Sequence, residues 1–321
     1  MFWSEQTLTK KASKEKKLKK VKHANIWKDM TVKELLMEYQ KVGFNGKELA
    51  KAREVMLAML ADKNCIKFAT VAGALIPGGL KKVIYSLLEY NLVDALIVTG
   101  SILTHDLIEA FGDAHFHAPL KVPDYELQKQ ELNRIYNVVV PTKGYRDLED
   151  GLQTIFPELP QETMSASRFI YELGKKMPVN CLAKMAAEKG VPIYCPSLPD
   201  SILGFQVWMF SNLHPLKVNP ALDQQDLLDF TWKGDNDETK VGALIIAGGV
   251  PKHFLALAAQ IAGKSLDYAV QITMDRPEHG GVSGASISEA ISWGKVDAHA
   301  KTANIIADAT IALPLLIASL L

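Results

Sequence analysis

Short apolar runs alternate along the chain with glycine-containing turns and helical patterns. Residues 66–71, 93–99 and 241–247 are apolar or β-branched runs, and glycine follows each of them within two residues. Runs without a polar face are typical of parallel strands that helices cover on both sides. The pattern therefore predicts an α/β fold, a Rossmann-like parallel sheet flanked by helices. Ligands are expected at the carboxyl ends of its strands.

Helical patterns precede and follow this core. Thr31 and Glu34 form a predicted capping box that begins a helix ending near Gly43, and a second helix is predicted at about residues 47–61. Residues 166–189 are expected to be helical, and residues 309–321 to form a buried helix. A further strand is predicted at residues 137–141. We divide the chain into a basic N-terminal extension, residues 1–30, and an α/β domain, residues 31–321.

The basic extension has two interpretations. Its residues 1–25 carry eight lysines, at positions 10, 11, 14, 16, 17, 19, 20 and 22. A solvated tail is the simpler interpretation, and an arm that contacts an acidic partner or another subunit is the alternative.

Composition narrows the class of protein. The chain has 321 residues, of which 48% are hydrophobic, with 36 basic and 36 acidic residues. This balance gives no support for nucleic-acid binding. Three cysteines without CxxC spacing indicate a reducing compartment, and no apolar leader is evident. We expect a soluble cytoplasmic protein without membrane contact. His115 and His117 lie near Asp113, but surface histidines are favoured over a metal site, and no metal is predicted.

The most informative segment is residues 286–295. Ser286 and Glu289 form a second predicted capping box, and the short helix leads to Trp293, Gly294 and Lys295. An aromatic, dry pocket would lower the pKa of such a lysine and make it a nucleophile. The alternative is a lysine favoured in the last turn by the helix dipole, with Glu289 acting only as a cap.

Glycine turns and His253 provide weaker signals. The turns match neither GxGxxG nor the phosphate-binding loop GxxxxGK[ST], so from the residues alone dinucleotide binding is only one interpretation. His253 lies in the first turn of its predicted helix, where the dipole disfavours imidazolium. This histidine is therefore expected to be a neutral base.

Five segments resemble deoxyhypusine synthases: SEAISWGK at 288–295, ADAT at 307–310, DYAV at 267–270, GGVPKH at 248–253 and VDALIVTG at 93–100. The first resembles the active-site segment of that family, and the similarity extends over most of residues 65–316.

The resemblance implies roles for individual residues. Lys295 matches the lysine that forms a covalent imine, and His253 the histidine that assists hydride removal. Trp293 and Glu289 match residues near the polyamine, and His105 occupies the position of a glutamate. The positions that match contacts to NAD are Thr99, Gly100, Ser101, Asp200, Gly248, Gly249, Asp308 and Ala309.

The implied reaction uses NAD to oxidise spermidine. A butylamine unit then passes through the lysine imine to a lysine of translation initiation factor 5A, where the retained NADH reduces it. The resemblance also implies a homotetramer with active sites shared between subunits. In the family an N-terminal extension can cover a neighbour's site.

The sequence departs from the family pattern at several positions. Phe205 and Val282 replace two carboxylates that hold the ammonium ends of spermidine; the other departures are His105, Leu257, Met274, Asp275 and Ala247. A buried ammonium without a partner costs several kcal/mol, roughly, so a different amine substrate is expected. Alternatives are a homospermidine-type synthase with a free amine acceptor and a non-catalytic regulatory paralogue. An ordinary dehydrogenase is disfavoured.

Overall fold

The protein is described by a computed structural model over residues 20–118, 121–232 and 238–321. Its α-helices in these ranges are α1 (Val32–Tyr39), α2 (Phe44–Ala61), α3 (Lys81–Glu89), α4 (Gly100–Ala110), α5 (Asp124–Lys129), α6 (Thr142–Ile155), α7 (Ala166–Lys176), α8 (Leu182–Lys189), α9 (Ile202–Ser211), α10 (Asp223–Thr231), α11 (Val250–Ile261), α12 (Ile287–Ser292) and α13 (Ala309–Ala318). The strands are β1 (Cys65–Val71), β2 (Ala95–Val98), β3 (Phe116–His117), β4 (Leu132–Ile135), β5 (Val138–Pro141), β6 (Thr163–Met164), β7 (Ile193–Tyr194), β8 (Lys217–Val218), β9 (Lys240–Ile246), β10 (Leu266–Thr273) and β11 (Val296–Ile306).

Six strands form one parallel sheet in the order β11-β10-β9-β1-β2-β7. Alternate strand residues face two apolar layers. Leu227 of α10, Leu255 of α11 and Ile287 of α12 pack on one face, and helices that include α2, α3, α4 and α13 pack on the other. The predicted α/β fold with a Rossmann-like parallel sheet is confirmed.

The smaller strands lie outside this sheet. β3, β5 and β4 form an antiparallel sheet, and β6 pairs with β8. The strand predicted at residues 137–141 therefore exists as β5, but it belongs to the antiparallel sheet. The two-residue turn that joins it to β4 is a local signal of this pairing and was missed.

The prediction of continuous helix over residues 166–189 is wrong in one respect, because this stretch forms two helices. α7 ends at Lys176, Pro178 follows, and α8 begins at Leu182. The two helices pack closely, since a Cβ added to Gly174 would lie 2.2 Å from the Ala183 carbonyl oxygen. Pro178 is a local signal for the break, because proline removes a helical hydrogen bond and disfavours helix in the residue before it.

The N-terminal helices agree better with prediction. The Thr31 hydroxyl accepts the Glu34 N–H at 3.2 Å, and the Glu34 carboxylate accepts the Thr31 N–H at 2.8 Å, so the capping box forms. α1 ends before Gly43, at Tyr39, and α2 begins earlier than predicted, at Phe44. Residues 1–19, which hold most of the basic extension, lie outside the described residues. Within the described ranges, no helix combines the length and apolar character needed to cross a bilayer.

Candidate active site

The eight residues that match cofactor contacts all follow carboxyl ends of strands in the six-stranded sheet. They come from four junctions: after β2 (Thr99, Gly100, Ser101), after β7 (Asp200), after β9 (Gly248, Gly249) and after β11 (Asp308, Ala309). Because the strands are parallel, these junctions lie at one edge, where ligands bind in open α/β sheets.

The amino end of α4 has backbone N–H groups available for an anion. Thr99 is the N-cap residue, but its hydroxyl bonds to the Ser101 hydroxyl at 2.9 Å, and its side chain does not cap the helix. A Cβ at Gly100 would lie 2.4 Å from the Ser201 hydroxyl, so glycine allows α4 to approach the turn that carries Asp200. An uncapped helix end beside a close backbone approach is suited to a phosphate group.

Asp308 lines a cleft of about 490 Å³. Its Oδ1 accepts hydrogen bonds from the N–H and the hydroxyl of Thr310, so Asp308 caps the amino end of α13. In the described part of the chain, Oδ2 makes no such bond, so it can accept from a ligand hydroxyl such as that of a ribose. Gly78 and Gly79 form one wall of the cleft, and Glu109 and His115 line it as well. Of the eight residues matched to cofactor contacts, Asp308 is the one that lines this cleft in the described part of the chain.

One departure from the family pattern, Ala247, lies in the turn after β9. Ala247 has φ of +65°, a conformation that favours glycine, and the family has glycine at this position. Gly249 has φ of +72°, and a Cβ at Gly248 would lie 2.4 Å from the Ser283 Cα. The turn therefore packs directly on the loop between β10 and α12.

His253 of α11 is within reach of the charge of Lys295. Partial burial, followed by the charge of Lys295, lowers the pKa of His253. The lowered pKa favours the neutral imidazole, and the role of His253 as a base stays a prediction. The Lys295 Nζ is 5.2 Å from the centroid of the Trp293 ring, a cation–π arrangement. We refer to His253, Trp293 and Lys295 as the amine cluster.

The amine cluster is more open than the dry pocket that the sequence suggested. Trp293 is 63% exposed, although its carbonyl accepts a hydrogen bond from the Gln260 amide at 2.6 Å. His253 is also exposed, and Lys295 is partly buried. A single chain therefore forms the contact between Lys295 and the Trp293 ring but does not shield it from water.

Glu289 is only partly explained by its predicted capping role. The Ser286 hydroxyl accepts the Glu289 N–H at 3.2 Å, one of the two hydrogen bonds of a capping box. The Glu289 carboxylate acts instead on a lysine of α11, Lys252, whose pKa it raises against the effect of burial.

Lys252 was missed by sequence reasoning. It is 8% exposed, and its Nζ donates to the carbonyls of Val282 at 3.0 Å and Ala285 at 2.6 Å. Burial lowers its pKa to about 8, with Glu289 opposing. The two N–H groups of a neutral amine match these two carbonyls. Lys252 thus ties α11 to the loop that carries Val282, and only its place beside His253 could have signalled this.

The sequence predicts His115 on the surface, and this prediction is wrong. The His115 side chain is 5% exposed; its Nε2 lies 3.0 Å from the His105 Nδ1, and its Nδ1 lies 2.8 Å from the Glu109 carboxylate. His117 is exposed, as expected. The prediction failed for His115 because the loop after α4 folds back onto that helix.

The structure separates two groups of predicted residues within one chain. Lys295 precedes β11 and so lies at the amino end of the sheet, whereas the matched cofactor residues follow carboxyl ends of strands; Asp200 also follows β7, the edge strand opposite β11. Five strand spacings of about 4.8 Å put them roughly 24 Å apart across the sheet. Phe205 and Val282, at family acidic positions, are both exposed, and Phe205 contacts Trp208 edge-on at 6.4 Å between ring centroids.

Comparison with known proteins identifies the family. The family model described as deoxyhypusine synthase matches residues 34–320. A Methanosarcina thermophila protein named "Probable deoxyhypusine synthase" is 39% identical over 300 residues, 93% of each chain. A "Deoxyhypusine synthase-like protein" of Chlorobaculum parvum is 34% identical, covering 92% of this chain and 87% of that one.

The fold is also similar to that of a solved structure. A crystal structure of a deoxyhypusine synthase homologue from Entamoeba histolytica aligns with a TM-score of 0.65 at 16% identity. The alignment covers 93% of this chain and 96% of that one. The family match over residues 34–320, together with the relatives at 34–39% identity, shows that this chain belongs to the deoxyhypusine synthase family.

Proposed function

We propose that this protein is an NAD-dependent transferase that moves an aminoalkyl group from a polyamine to an amine acceptor through a covalent bond to Lys295. The observation that supports this most directly is the amine cluster. It places a primary amine over an aromatic ring and near a histidine whose pKa is lowered. The expected acceptor in this family is a lysine of translation initiation factor 5A.

Each residue of the amine cluster has a chemical task in this proposal. Trp293 holds the cationic amine on its ring face. Neutral His253 accepts the proton that the amine nitrogen loses as the neighbouring carbon is oxidised. The Lys295 amine then adds to that carbon, the leaving amine departs with a proton, and a carbon–nitrogen double bond joins the retained group to Lys295.

The second half of the reaction releases Lys295. The acceptor amine adds to the same carbon, and the Lys295 nitrogen leaves as a free amine. NAD bound at the carboxyl edge of the sheet would supply hydride acceptance in the first half and hydride return in the last step. Asp308, the amino end of α4 and the turn at Gly248 would hold it there.

The donor and acceptor distinguish a deoxyhypusine synthase from a homospermidine-type synthase within this reaction class. Phe205 and Val282 are exposed apolar residues at positions where the family holds ammonium groups with carboxylates. This observation favours a changed amine substrate, such as that of a homospermidine-type synthase with a free amine acceptor. A non-catalytic regulatory paralogue is less well supported, because it has no use for the lysine, aromatic ring and histidine together.

We also propose that active sites are shared between subunits of a homotetramer. Lys295 precedes β11 at the amino end of the sheet, whereas the residues matched to cofactor contacts follow carboxyl ends of strands, and Trp293 is 63% exposed. A partner subunit would cover the tryptophan and bring its own cofactor residues to the amine cluster. Such an arrangement would supply the enclosure that a single chain lacks.

Borohydride trapping tests the proposed function. The full chain is incubated with NAD and, in separate samples, spermidine, putrescine, agmatine or homospermidine, then reduced and analysed by peptide mass spectrometry. We expect an aminoalkyl adduct on Lys295 from at least one amine, and none in Lys295→Arg, which keeps the charge. If NAD binds and no amine gives an adduct, the regulatory interpretation replaces the catalytic one.

A further inference from the structure

The cleft that Asp308 lines is built by segments that are distant in the chain. Gly78 and Gly79, between β1 and α3, line one part of it, and a Cβ added to Gly78 would lie 3.4 Å from the side chain of Thr310 in α13. Another part belongs to the antiparallel sheet, at the turn between β4 and β5. We call it the Asp308 cleft. Its volume of about 490 Å³ is in the range of small-molecule sites.

The antiparallel sheet contributes aromatic side chains to the cleft. Phe116 and His117 form β3, and Tyr136 lies in the two-residue turn that joins β4 to β5. The Ala118 N–H donates to the Asn137 carbonyl at 2.9 Å, so the end of β3 lies beside this turn. Phe116 is 50% exposed and Tyr136 is 75% exposed. Much of both rings is therefore left uncovered by the described chain.

Tyr136 has an unfavourable backbone conformation. Its φ of +55° lies in the left-handed region, which favours glycine and is uncommon for a bulky side chain. In two-residue hairpin turns, glycine, asparagine and aspartate are the usual residues where φ is positive. Backbone strain of this kind is typical of binding sites. The exposed ring gains little from packing in the described chain, so the stability of the fold does not explain a tyrosine here.

The charges of the cleft favour a neutral group over a phosphate. Its described lining holds the carboxylates of Glu109 and Asp308 and no lysine or arginine. Lys81 lies 3.2 Å from Glu109 and offsets its charge. Asp308 therefore remains as the carboxylate of this lining that can accept hydrogen bonds from a ligand. A carboxylate that accepts from ribose hydroxyls is typical of dinucleotide sites.

An adenosine matches these features better than an amine does. The Tyr136 and Phe116 rings can stack on a base, since every base has a π face. Asn137 also lines the cleft, and its amide can both donate and accept, as the edge of adenine requires. An ammonium would need a carboxylate that is free to pair with it, whereas one Asp308 oxygen already accepts the N–H and the hydroxyl of Thr310.

We propose that the Asp308 cleft holds the adenosine end of a dinucleotide and that Tyr136 determines the affinity for its base. The Tyr136 ring stacks on the adenine, and Asp308 accepts hydrogen bonds from the ribose. The phosphates lie outside the cleft, away from its carboxylates. The inference rests on the proposed function only for the identity of the dinucleotide, NAD.

Removal of the Tyr136 ring should separate binding from stability. Glycine adopts a positive φ without strain, and this relief offsets the added freedom of the unfolded chain. Tyr136→Gly should therefore keep or raise the midpoint of chemical denaturation while it weakens binding of the base. A residue needed only for the fold would lower the midpoint when it is changed.

Calorimetry on the full chain measures binding of four probes in separate samples: adenosine, ADP-ribose, nicotinamide mononucleotide and spermidine. We expect the wild type to bind adenosine and ADP-ribose. Tyr136→Gly should bind both about tenfold more weakly or worse, the effect of losing one stack between a base and an aromatic ring. Nicotinamide mononucleotide lacks adenine, so its binding should not change. Tyr136→Phe keeps the ring and should bind all four probes as the wild type does.

Glu131→Gly is the matched control. Glu131 has φ of +54°, precedes β4 of the same antiparallel sheet, and is not among the described residues that line the cleft. The change therefore relieves the same kind of strain without removing a ring from the cleft. The affinity for each probe should equal that of the wild type.

The proposal is overturned if adenosine and ADP-ribose do not bind the wild type, or bind it no more tightly than Tyr136→Gly. A denaturation midpoint that falls together with the affinity also overturns it, and so does spermidine binding that depends on Tyr136. Failure of the proposed function is seen separately, in the trapping experiment on Lys295. If adenosine binding depends on Tyr136 and Lys295 forms no adduct, this inference stands and the proposed function fails.

Discussion

In the amine cluster the charged and aromatic side chains lie open, whereas along α4 they are enclosed and bonded to one another. Trp293 is 63% exposed beside Lys295, while Asp106 is 1% exposed and bonded to Lys81, Tyr85 and the Leu182 N–H. Both regions hold a lysine near an acidic or aromatic partner. They differ in how many partners the same chain supplies.

The difference indicates which parts of the site one chain can complete. A buried charge needs all its partners in place, because leaving it unpaired costs several kcal/mol, roughly. The α4 region meets this condition by itself. Water solvates the charges of the amine cluster, so this cluster does not need a full set of partners from the same chain. A ligand or a second subunit can then enclose it.

The largest expected effect concerns the open region. Lys295→Ala and Asp200→Ala should each lower the transfer activity by about a hundredfold or more. If a site takes its lysine from one subunit and its cofactor residues from another, mixing the two variants restores one intact site per mixed pair. We expect roughly a quarter of wild-type activity after random exchange of subunits in a symmetric assembly. Activity that stays absent after verified subunit exchange would contradict shared sites.

The next effect concerns the enclosed region. Asp106→Ala leaves Lys81 and the Leu182 N–H without their buried partner, so the free energy of unfolding should fall by about 3–5 kcal/mol. Chemical denaturation measures it. Asp124→Ala is the control, because Asp124 is 78% exposed in its ion pair with Arg134 and should cost less than about 1 kcal/mol. Equal losses in the two variants would show that the α4 region is not enclosed in solution.

The smallest effect concerns Lys252, which is buried on α11 and precedes His253 in the chain. Lys252→Met leaves two carbonyls without their donor and should cost about 1–3 kcal/mol at pH 9. Burial lowers the pKa of Lys252 to about 8 in the folded chain, below its ordinary value of 10.5. Between these values the unfolded chain holds more protons, so this residue's contribution to stability rises with pH.

The difference in unfolding free energy between wild type and Lys252→Met should therefore grow as the pH increases from 8 to 10. Lys47→Met, which changes an exposed lysine of α2, should follow the wild-type pH dependence. A difference that stays constant with pH would mean that Lys252 is charged in the folded chain throughout this range.

Much of the fold could be predicted from local pattern. The parallel strands were identified because apolar runs such as residues 241–247 are buried on both faces, and the capping box at Thr31 formed as expected. The break between α7 and α8 and the antiparallel pairing of β5 were missed, although both have local signals. Pro178 lies in the break, and β5 pairs with β4 across the two-residue turn at Tyr136 and Asn137.

The candidate site was predictable to a similar degree. The segment that carries Trp293 and Lys295 has a local signature, and these two side chains do meet. Lys252 and the burial of His115 were missed, since a lysine or histidine in a polar segment has the same local pattern whether it is exposed or enclosed.

The sequence by itself determined the class of fold, the family and the segment that holds the candidate nucleophile, because strand burial, helix caps and motifs are encoded within a few neighbouring residues. Only the tertiary structure decided which charged and polar groups form hydrogen bonds with one another. Asp106 meets the Leu182 N–H across 76 residues, and His105 meets His115 because the chain after α4 folds back. Hydrogen bonds extend only about 3 Å. Such pairs therefore exist only once packing has brought their elements together, and packing is a property of the whole chain.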